Sequence, residues 1–447
     1  MAVNSASQFS SDIENYIADE TLPLARRQLV AYQFGDPATL PKGRGTTYTA
    51  TRYLRLPLPF APLSEGVPPI GETMTIQQVS AVAQQWGDKV TITDVSELTI
   101  KHPLFKKGIE LTALQLAETL ERNTFNALMA GTQVNYVNSR GSRAALVAGD
   151  VLDTTTVIRT DAALETIGAP RYMGDERTDM KIAAESGGDK ASSNPRSMPH
   201  YCAIIHTLVV ADFRQNSTVV LAWTYSDLNR LYNYEAGEWS GIRFCKTNMV
   251  PSFTGVAQVN GAAATTGALA TGTYYIVVTG QDTQNQYESR IYQVSASISV
   301  TGPNGSITVT TPSTTGFTYN VYVGTTTSPA NLGLSASGPL VGPLAGQATQ
   351  LAPSTSVTIT GVGVSQTPPA APATGLTVYP TFVIGRGSYA QVLLDDAKFS
   401  YLKDADKSDP LNQLRIIGWK VFYGTLISNQ QFFARIESVS AYTTSFT

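Results

Sequence analysis

The middle of this chain is almost without charge. Residues 255–375 carry only Asp282, Glu288 and Arg290, while the other 326 of the 447 residues hold the remaining 62 charged side chains. The whole chain is 15% charged, below the quarter usual for globular proteins, and the uncharged middle explains much of the deficit. Charge density changes abruptly near Pro251 and again near Val378. The flanks therefore read as one domain interrupted by a small inserted module.

Other scarcities exclude chemistry. The two cysteines, Cys202 and Cys245, match no metal spacing, and with no export signal they read as free buried thiols. The three histidines, His102, His200 and His206, fall into no H-E-x-x-H or paired Cys/His pattern, which argues against a zinc enzyme. No serine sits in a G-x-S-x-G elbow. Gly385-Arg386-Gly387 lacks a Walker lysine and reads as a turn. Asp404-Ala405-Asp406-Lys407-Ser408-Asp409 starts like a calcium loop, but Asp409 stands where that loop needs glycine and Arg415 where it needs glutamate. Asp175, Glu176, Arg177 and Asp179 read as a mixed surface charge cluster. The expectation is a protein with no catalytic, cofactor or metal residues, and so not an enzyme. A net charge of -3 supplies no basic field for nucleic acid. No basic stretch leads into an apolar run after Met1-Ala2-Val3-Asn4-Ser5, so no secretion signal is read. No segment approaches the ~20 apolar residues of a membrane span.

What is present has an uneven architecture. Residues 8–34 read as an N-terminal helix interrupted at Pro23. Residues 46–58 alternate, with Tyr48, Ala50 and Arg52 on one face and Tyr53, Arg55 and Pro57 following on the other parity. A tip rich in proline and glycine follows over 57–71, and residues 73–95 return as strand, with Met74, Ile76, Val79 and Val82 apolar. This is either an ordinary surface hairpin or a projecting arm, and its length of about 50 residues favours the arm. Residues 103–130 predict the strongest helix, bounded by Pro103 and Gly131. Phe105, Ile109, Ala113, Leu116, Leu120 and Ala127 form one stripe and Leu111, Leu114, Ala117, Phe125 and Leu128 a second. At 1.5 Å per residue it would span roughly 42 Å.

Further along, Asp153 or Thr154 caps a helix to about Ile167, and 185–199 is a polar loop. Residues 201–206 and 241–246 read as strands, with helices over about 207–215 and 224–233. The module has β-rich runs at 273–279, 291–300, 306–311 and 319–323, the pattern of a sandwich. Its flanks, 262–267 and 367–372, read as extended linkers. Tyr274, Tyr275, Tyr319 and Tyr322 are sandwich core or, as the alternative, a sugar platform. Val378–Ile384 is a strand, 391–404 a mixed segment and 414–442 a closing β region.

The flanks resemble the major capsid proteins of tailed bacteriophages, of the Hong Kong 97-type fold and nearest the podovirus-type branch. The resemblance rests on Leu40-Pro41-Lys42-Gly43-Arg44-Gly45, Pro62-Leu63-Ser64-Glu65-Gly66-Val67, residues 85–94 (QWGDKVTITD), 116–121 (LAETLE), 203–206 (AIIH), 241–244 (GIRF), 385–390 (GRGSYA), 409–411 (DPL) and 418–420 (GWK), in that order. It covers roughly 1–250 and 376–447. Residues 319–324 (YNVYVG) resemble a strand of immunoglobulin-like or fibronectin type III domains.

The resemblance implies an α+β fold in five parts: an N-terminal arm (1–45), an extended loop (46–95), a peripheral domain (96–150 and 400–447, with its spine helix at 103–130), an axial domain (151–254 and 376–399) and an inserted immunoglobulin-like β domain (255–375). It implies self-assembly into hexamers and pentamers of an icosahedral shell that encloses double-stranded DNA without reading its sequence. A portal, a separate scaffolding protein and optional decoration proteins are the implied partners. The location would be the virion capsid, assembled in the host cytoplasm, with no membrane. Tyr48, Tyr53, Leu58, Phe60, Glu65, Met74 and Ile76 are the expected inter-subunit contacts. The module is expected to fold alone and project outward, because a domain facing packaged phosphate would gain from basic residues and this one has only Arg290. The alternative reading is a surface-binding or adhesive β-sandwich protein. Some relatives cross-link an arm lysine to a neighbour's asparagine, and here the only lysine between 46 and 100 is Lys89, far from the tip. Denaturing gels of mature particles are expected to show a monomer band near 47.8 kDa. A ladder that survives boiling would overturn this.

Overall fold

A computed structural model of the protein describes residues 27, 29–41, 43–58, 62, 71–99, 104–172, 199–215, 220–221, 232–282, 287–302, 304–334, 351–362, 366–402 and 413–442. The arm tip with Phe60 and Glu65, His102, the cluster at 175–179, the acidic turn at 404–409, and most of the loop at 185–199 and of the helix at 224–233 lie outside these residues. In chain order the strands are β1 (Asp36–Thr39), β2 (Thr47–Tyr53), β3 (Ile76–Val82), β4 (Gln84–Thr93), β5 (Val134–Tyr136), β6 (Tyr201–His206), β7 (Val220–Leu221), β8 (Glu235–Trp239), β9 (Ile242–Thr247), β10 (Phe253–Val256), β11 (Ala262–Leu269), β12 (Gly272–Asp282), β13 (Glu288–Tyr292), β14 (Ile298–Val300), β15 (Gly305–Thr310), β16 (Phe317–Gly324), β17 (Gly333–Leu334), β18 (Ser356–Ile359), β19 (Thr377–Ile384), β20 (Tyr389–Leu402), β21 (Leu414–Ile427) and β22 (Phe433–Val439). The helices are α1 (Asp94–Thr99), α2 (Leu104–Met129), α3 (Thr154–Ile167) and α4 (Thr207–Phe213). The chain forms two compact units, one built from Gly87–Ala117 and Ala397–Val421, the other from Gln28–Trp86, Glu118–Asp396 and Phe422–Thr447.

Local signals explain several elements. The Asp153 carboxylate accepts from the Thr156 N–H and starts α3, and Gly168 ends it in the left-handed conformation at φ 74°, as a cap pair should. In α2 the buried positions are Gly108, Thr112, Leu116, Glu121, Thr124, Phe125 and Leu128, so the inward face carries three polar side chains that the apolar stripes did not include. Thr112 and Thr124 each donate to the carbonyl four residues back, at 2.6 and 3.0 Å. Leu111, placed in the second stripe, is exposed. Of the N-terminal helix expected over 8–34, the described residues make only a 3-10 turn at Ala31–Gln33. The mixed segment expected at 391–404 is the long strand β20.

β6 shows how the larger unit is layered. It pairs with β9 in parallel and with β19 in antiparallel. Alternate side chains go to opposite faces: Tyr201, Ala203 and Ile205 join Leu164 of α3 and Val209 and Phe213 of α4, while Cys202 and Ile204 join Phe125 and Leu128 of α2. Burial on both faces is why β6 and β19 read as continuous apolar runs. β22 pairs along β19, with β5 beyond it. A separate four-stranded sheet runs in the order β1-β20-β21-β4.

The inserted module consists of two sheets facing one apolar cluster. β17-β16-β12-β13 supplies Ile276, Val278, Tyr319, Val321 and Val323, and β11-β15-β18 supplies Leu269, Ile307, Val309 and Ile359. The expected linker at 262–267 is strand β11 instead. Its small Ala, Thr and Gly residues let it approach β15 closely, and a Cβ on Gly267 would lie 2.3 Å from the Gly305 carbonyl oxygen.

The module is also fastened to the flanking domain. β10 pairs with β19 on one edge and with module strand β13 on the other, so one sheet runs through both. Tyr287, just before β13, packs into the flanking cluster with Phe125, Phe382 and Tyr389. A second cluster joins Val277, Ile291 and Tyr322 to Phe253, with Met129 against it. The outgoing segment at 367–372 is extended but tied down: the Gln293 amide donates to the Pro372 carbonyl at 2.6 Å. Arg143 donates to the Ala370 carbonyl at 3.0 Å, grips both carboxylate oxygens of Glu437 at 2.6 and 2.7 Å, and lies 4.0 Å from the Phe253 ring centroid. Arg435 pairs with the same carboxylate at 3.1 Å.

Glu437→Gln removes the counter-charge that pairs with both buried guanidiniums, Arg143 and Arg435, and is expected to cost about 3–5 kcal/mol, read by urea unfolding. Excising 258–373 with a Gly/Ser bridge is expected to destabilise the flanks as well, because it bares Phe253 and Met129 and removes β13 from the sheet. Unchanged flank stability after excision would contradict this fastening.

Candidate assembly surface

Among the described residues, the distal part of the β2–β3 hairpin exposes a run of apolar side chains. The two strands pair in antiparallel from Thr47↔Val82 to Tyr53↔Ile76 and form a sheet of two strands only. Such a ribbon has marginal stability by itself, and three contacts hold its root. Tyr48 packs against the cluster of Leu40, Ala83 and Val392. The Ala83 N–H donates to the Thr46 carbonyl at 2.8 Å. Gly424 of β21 passes so close that a Cβ there would meet the Val82 carbonyl oxygen at 2.8 Å. After Ala83 the chain leaves the hairpin and continues as β4 in the four-stranded sheet.

Burial along β2 alternates, with Tyr48, Ala50 and Arg52 half-covered and Thr47, Thr49, Thr51 and Tyr53 exposed. Arg52 donates to the Gln77 side-chain oxygen across the strands, at 2.8 Å from Nε. Beyond that pair the surface turns apolar and bare. Tyr53 is 69% exposed, Leu58 87%, Met74 69% and Ile76 52%, and Leu54 and Leu56 are exposed as well.

The structure thus divides the expected contact residues. Tyr53, Leu58, Met74 and Ile76 share one exposed apolar end. Tyr48 does not belong with them: it has a partner in its own chain because it lies at the root, where β2 passes Leu40 and Val392. Phe60 and Glu65 lie outside the described residues. Leu54 and Leu56 were missed, although the period-two run Leu54, Leu56, Leu58 next to Pro57 was a usable signal.

The other candidates are absorbed by the fold. Cys202 and Cys245 are free and buried, and burial pushes the Cys202 thiol up to about 12. His200 is fully buried and shares a 3.0 Å hydrogen bond with the Tyr232 hydroxyl. His206 caps α4 by accepting the Leu208 N–H, stacks on Tyr379, and is pushed down to about 4 by burial. Tyr274, Tyr319 and Tyr322 are buried and Tyr275 packs beside them, so these tyrosines are core and not a sugar platform. Gly387, at φ 76°, forms the turn between β19 and β20. Among the described residues no three His, Cys, Asp or Glu side chains gather as a metal site, and no helix is long and apolar enough to cross a membrane.

No family model matches the chain, and no curated protein matches it. Solved structures do. The capsid of Ralstonia phage GP4 superposes with a TM-score of 0.52 at 8% identity, covering 97% of each chain. The capsid of cyanophage P-SCSP1u gives 0.47 at 12% identity, covering 96% of this chain and 93% of that one. The cyanophage Pam1 capsid gives 0.46 at 9% identity, covering 99% of each. The first of these carries the conclusion that the chain has the α+β fold of tailed-phage capsids, the Hong Kong 97-type fold.

If the distal set serves contacts between chains, it is silent in folding. Tyr53→Ser and Leu58→Ser are expected to change the unfolding free energy of the isolated subunit by no more than about 0.5 kcal/mol. Tyr48→Ala is expected to lower it by about 1 kcal/mol or more. Equal losses at all three positions, measured in urea, would show that the distal residues pack at home.

Proposed function

We propose that this protein is the major capsid protein of a tailed bacteriophage, and that copies of it close hexamers and pentamers into an icosahedral shell around double-stranded DNA. The observation that carries the reading is the full-length fold likeness to a phage capsid in a chain whose β2–β3 hairpin carries bare apolar side chains. Water-exposed Tyr53, Leu58, Met74 and Ile76 gain roughly 25 cal/mol for each Å² of apolar surface buried against a neighbour. Repetition of one such contact by symmetry builds a closed shell.

In this reading residues 1–45 are an arm lying along a neighbour, and 46–95 an extended loop reaching over an adjacent subunit. Residues 96–150 and 400–447 form the peripheral domain, 151–254 and 376–399 the axial domain at capsomer centres. Residues 255–375 form an immunoglobulin-like insertion that projects outward. The scarcity of basic residues in the insertion supports the outward direction, since packaged DNA would favour lysine and arginine on an inward surface. The partners are a portal, a separate scaffolding protein and, where present, decoration proteins; assembly takes place in the host cytoplasm, the shell performs no catalysis, and DNA is enclosed without sequence-specific contacts. The adhesive alternative is weakened by the burial of the module tyrosines, which leaves it without a stacking platform.

Negative-stain images of the purified protein are expected to show closed shells with hexagonal surface lattices. Deleting the tip, residues 60–71, is expected to leave a folded, soluble subunit that forms none. Normal shells from the deletion would remove the hairpin from the mechanism, and monomers that bind glycans would favour the alternative.

A further inference from the structure

The chain enters the body through residues 30–34, and this entry is held almost wholly by side chains. Glu121, in the second half of α2, is buried to 1% exposure. Its Oε1 accepts the N–H groups of Val30 and Ala31, both at 2.6 Å, and its Oε2 accepts the N–H of Tyr32 at 3.1 Å. Three consecutive backbone donors therefore converge on one carboxylate. The carbonyls of the same turn are held too. Tyr389 donates to the Ala31 oxygen, Gln391 to the Tyr32 oxygen at 2.9 Å, and Tyr172 to the Phe34 oxygen at 3.0 Å. Val30, Ala31 and Phe34 lie in the cluster with Phe125 and Leu128.

A carboxylate is costly to bury, and among the described residues no cation forms an ion pair with Glu121. What compensates is the donor set. The N–H groups of Val30, Ala31 and Tyr32 would otherwise lie unpaired at a buried turn. Contacts this short are typical of hydrogen bonds to a charged acceptor; burial raises the Glu121 pKa and the three backbone N–H groups oppose that rise, so this donor set favours the ionised, acceptor-only form. An apolar residue at position 121 would preserve the helix and leave three N–H groups stranded.

We propose that ionised Glu121 is the positioning residue for the root of the N-terminal segment, and that shell assembly depends on this internal carboxylate as well as on exposed contact residues. The assembly half of the proposal rests on the capsid reading; the clasp itself does not. Once Glu121 is neutral, only one oxygen remains as a full acceptor, the Tyr32 N–H loses its partner, the bonds to Val30 and Ala31 weaken, and the turn at 30–32 is no longer firmly fixed. The body keeps its core, because Phe125 and Leu128 still pack.

Hydrogen exchange on the isolated subunit tests the clasp. In the wild type the amides of 30–32 are expected to exchange far more slowly than an isolated three-residue turn allows. In Glu121→Gln, which keeps the shape and loses the charge, they are expected to exchange at least tenfold faster, with β6 and α3 unchanged and the shell yield reduced. Rapid exchange at 30–32 in the wild type overturns the proposal without any variant, which covers the case of a variant that does not fold. Unchanged exchange in a folded Glu121→Gln overturns it as well. Faster exchange together with a normal shell yield overturns the assembly half. If the wild type itself forms no shells, the capsid reading fails while the exchange data still decide the clasp.

Discussion

Arg143, Glu437 and Arg435 form the constraint on which the larger unit depends. One carboxylate, fully buried on β22, neutralises two guanidiniums that are themselves almost without exposure. From that point Arg143 reaches the Ala370 carbonyl on the way out of the module and the Phe253 ring on the way in, and Arg435 reaches the Met129 carbonyl at the end of α2. A buried ion pair adds little net stability, since desolvation offsets most of the attraction. Its effect is on specificity: any arrangement that moves β22, β10 or the end of α2 strands a charge in the core. The triad thus fixes how the module joins the central sheet.

That junction changes the meaning of the uncharged insert. A domain on free linkers would sample many orientations. Here β10 serves two sheets' worth of partners within four residues, with Thr254 opposite Arg290 on one side and Thr377 on the other. Gly255 permits it, because a Cβ there would lie 2.3 Å from the Ala373 carbonyl oxygen. Tyr287 then seats the β12–β13 end of the module in the flanking core. A module fastened in this way holds one orientation against the central sheet.

The hairpin works by the opposite principle. Its root is anchored by Tyr48 and Ala83, while its far end has neither a third strand nor a core. The hairpin is therefore anchored at its root and leaves apolar side chains exposed along its far part. Glu121 brings the chain's entry under the same control from the inside, as a fixed point from which an N-terminal segment departs.

The sequence by itself determined the elements whose signals are local. Asp153 and Gly168 bound α3, Pro103 and Gly131 bracket α2, the period-two run with its proline-rich tip marks the hairpin, and the sudden loss of charge marks the module. Each depends on residues within a few positions of one another, where spacing carries the physics. Tertiary structure decided what depends on distant partners. Arg143 and Glu437 are 294 residues apart, and nothing near either one announces a pair. Thr112, Glu121 and Thr124 interrupt the apolar stripes of α2, yet face inward because a carbonyl, three amides or a tyrosine hydroxyl waits there. Residues 262–267 read as a linker because Ala and Gly have weak strand preference, and they became part of β11 because β15 offered a ladder and Gly267 allowed the approach. Tyr48 and Tyr53 look alike along the chain, and only the packing of Leu40 and Val392 against one of them separates an anchored side chain from an exposed one.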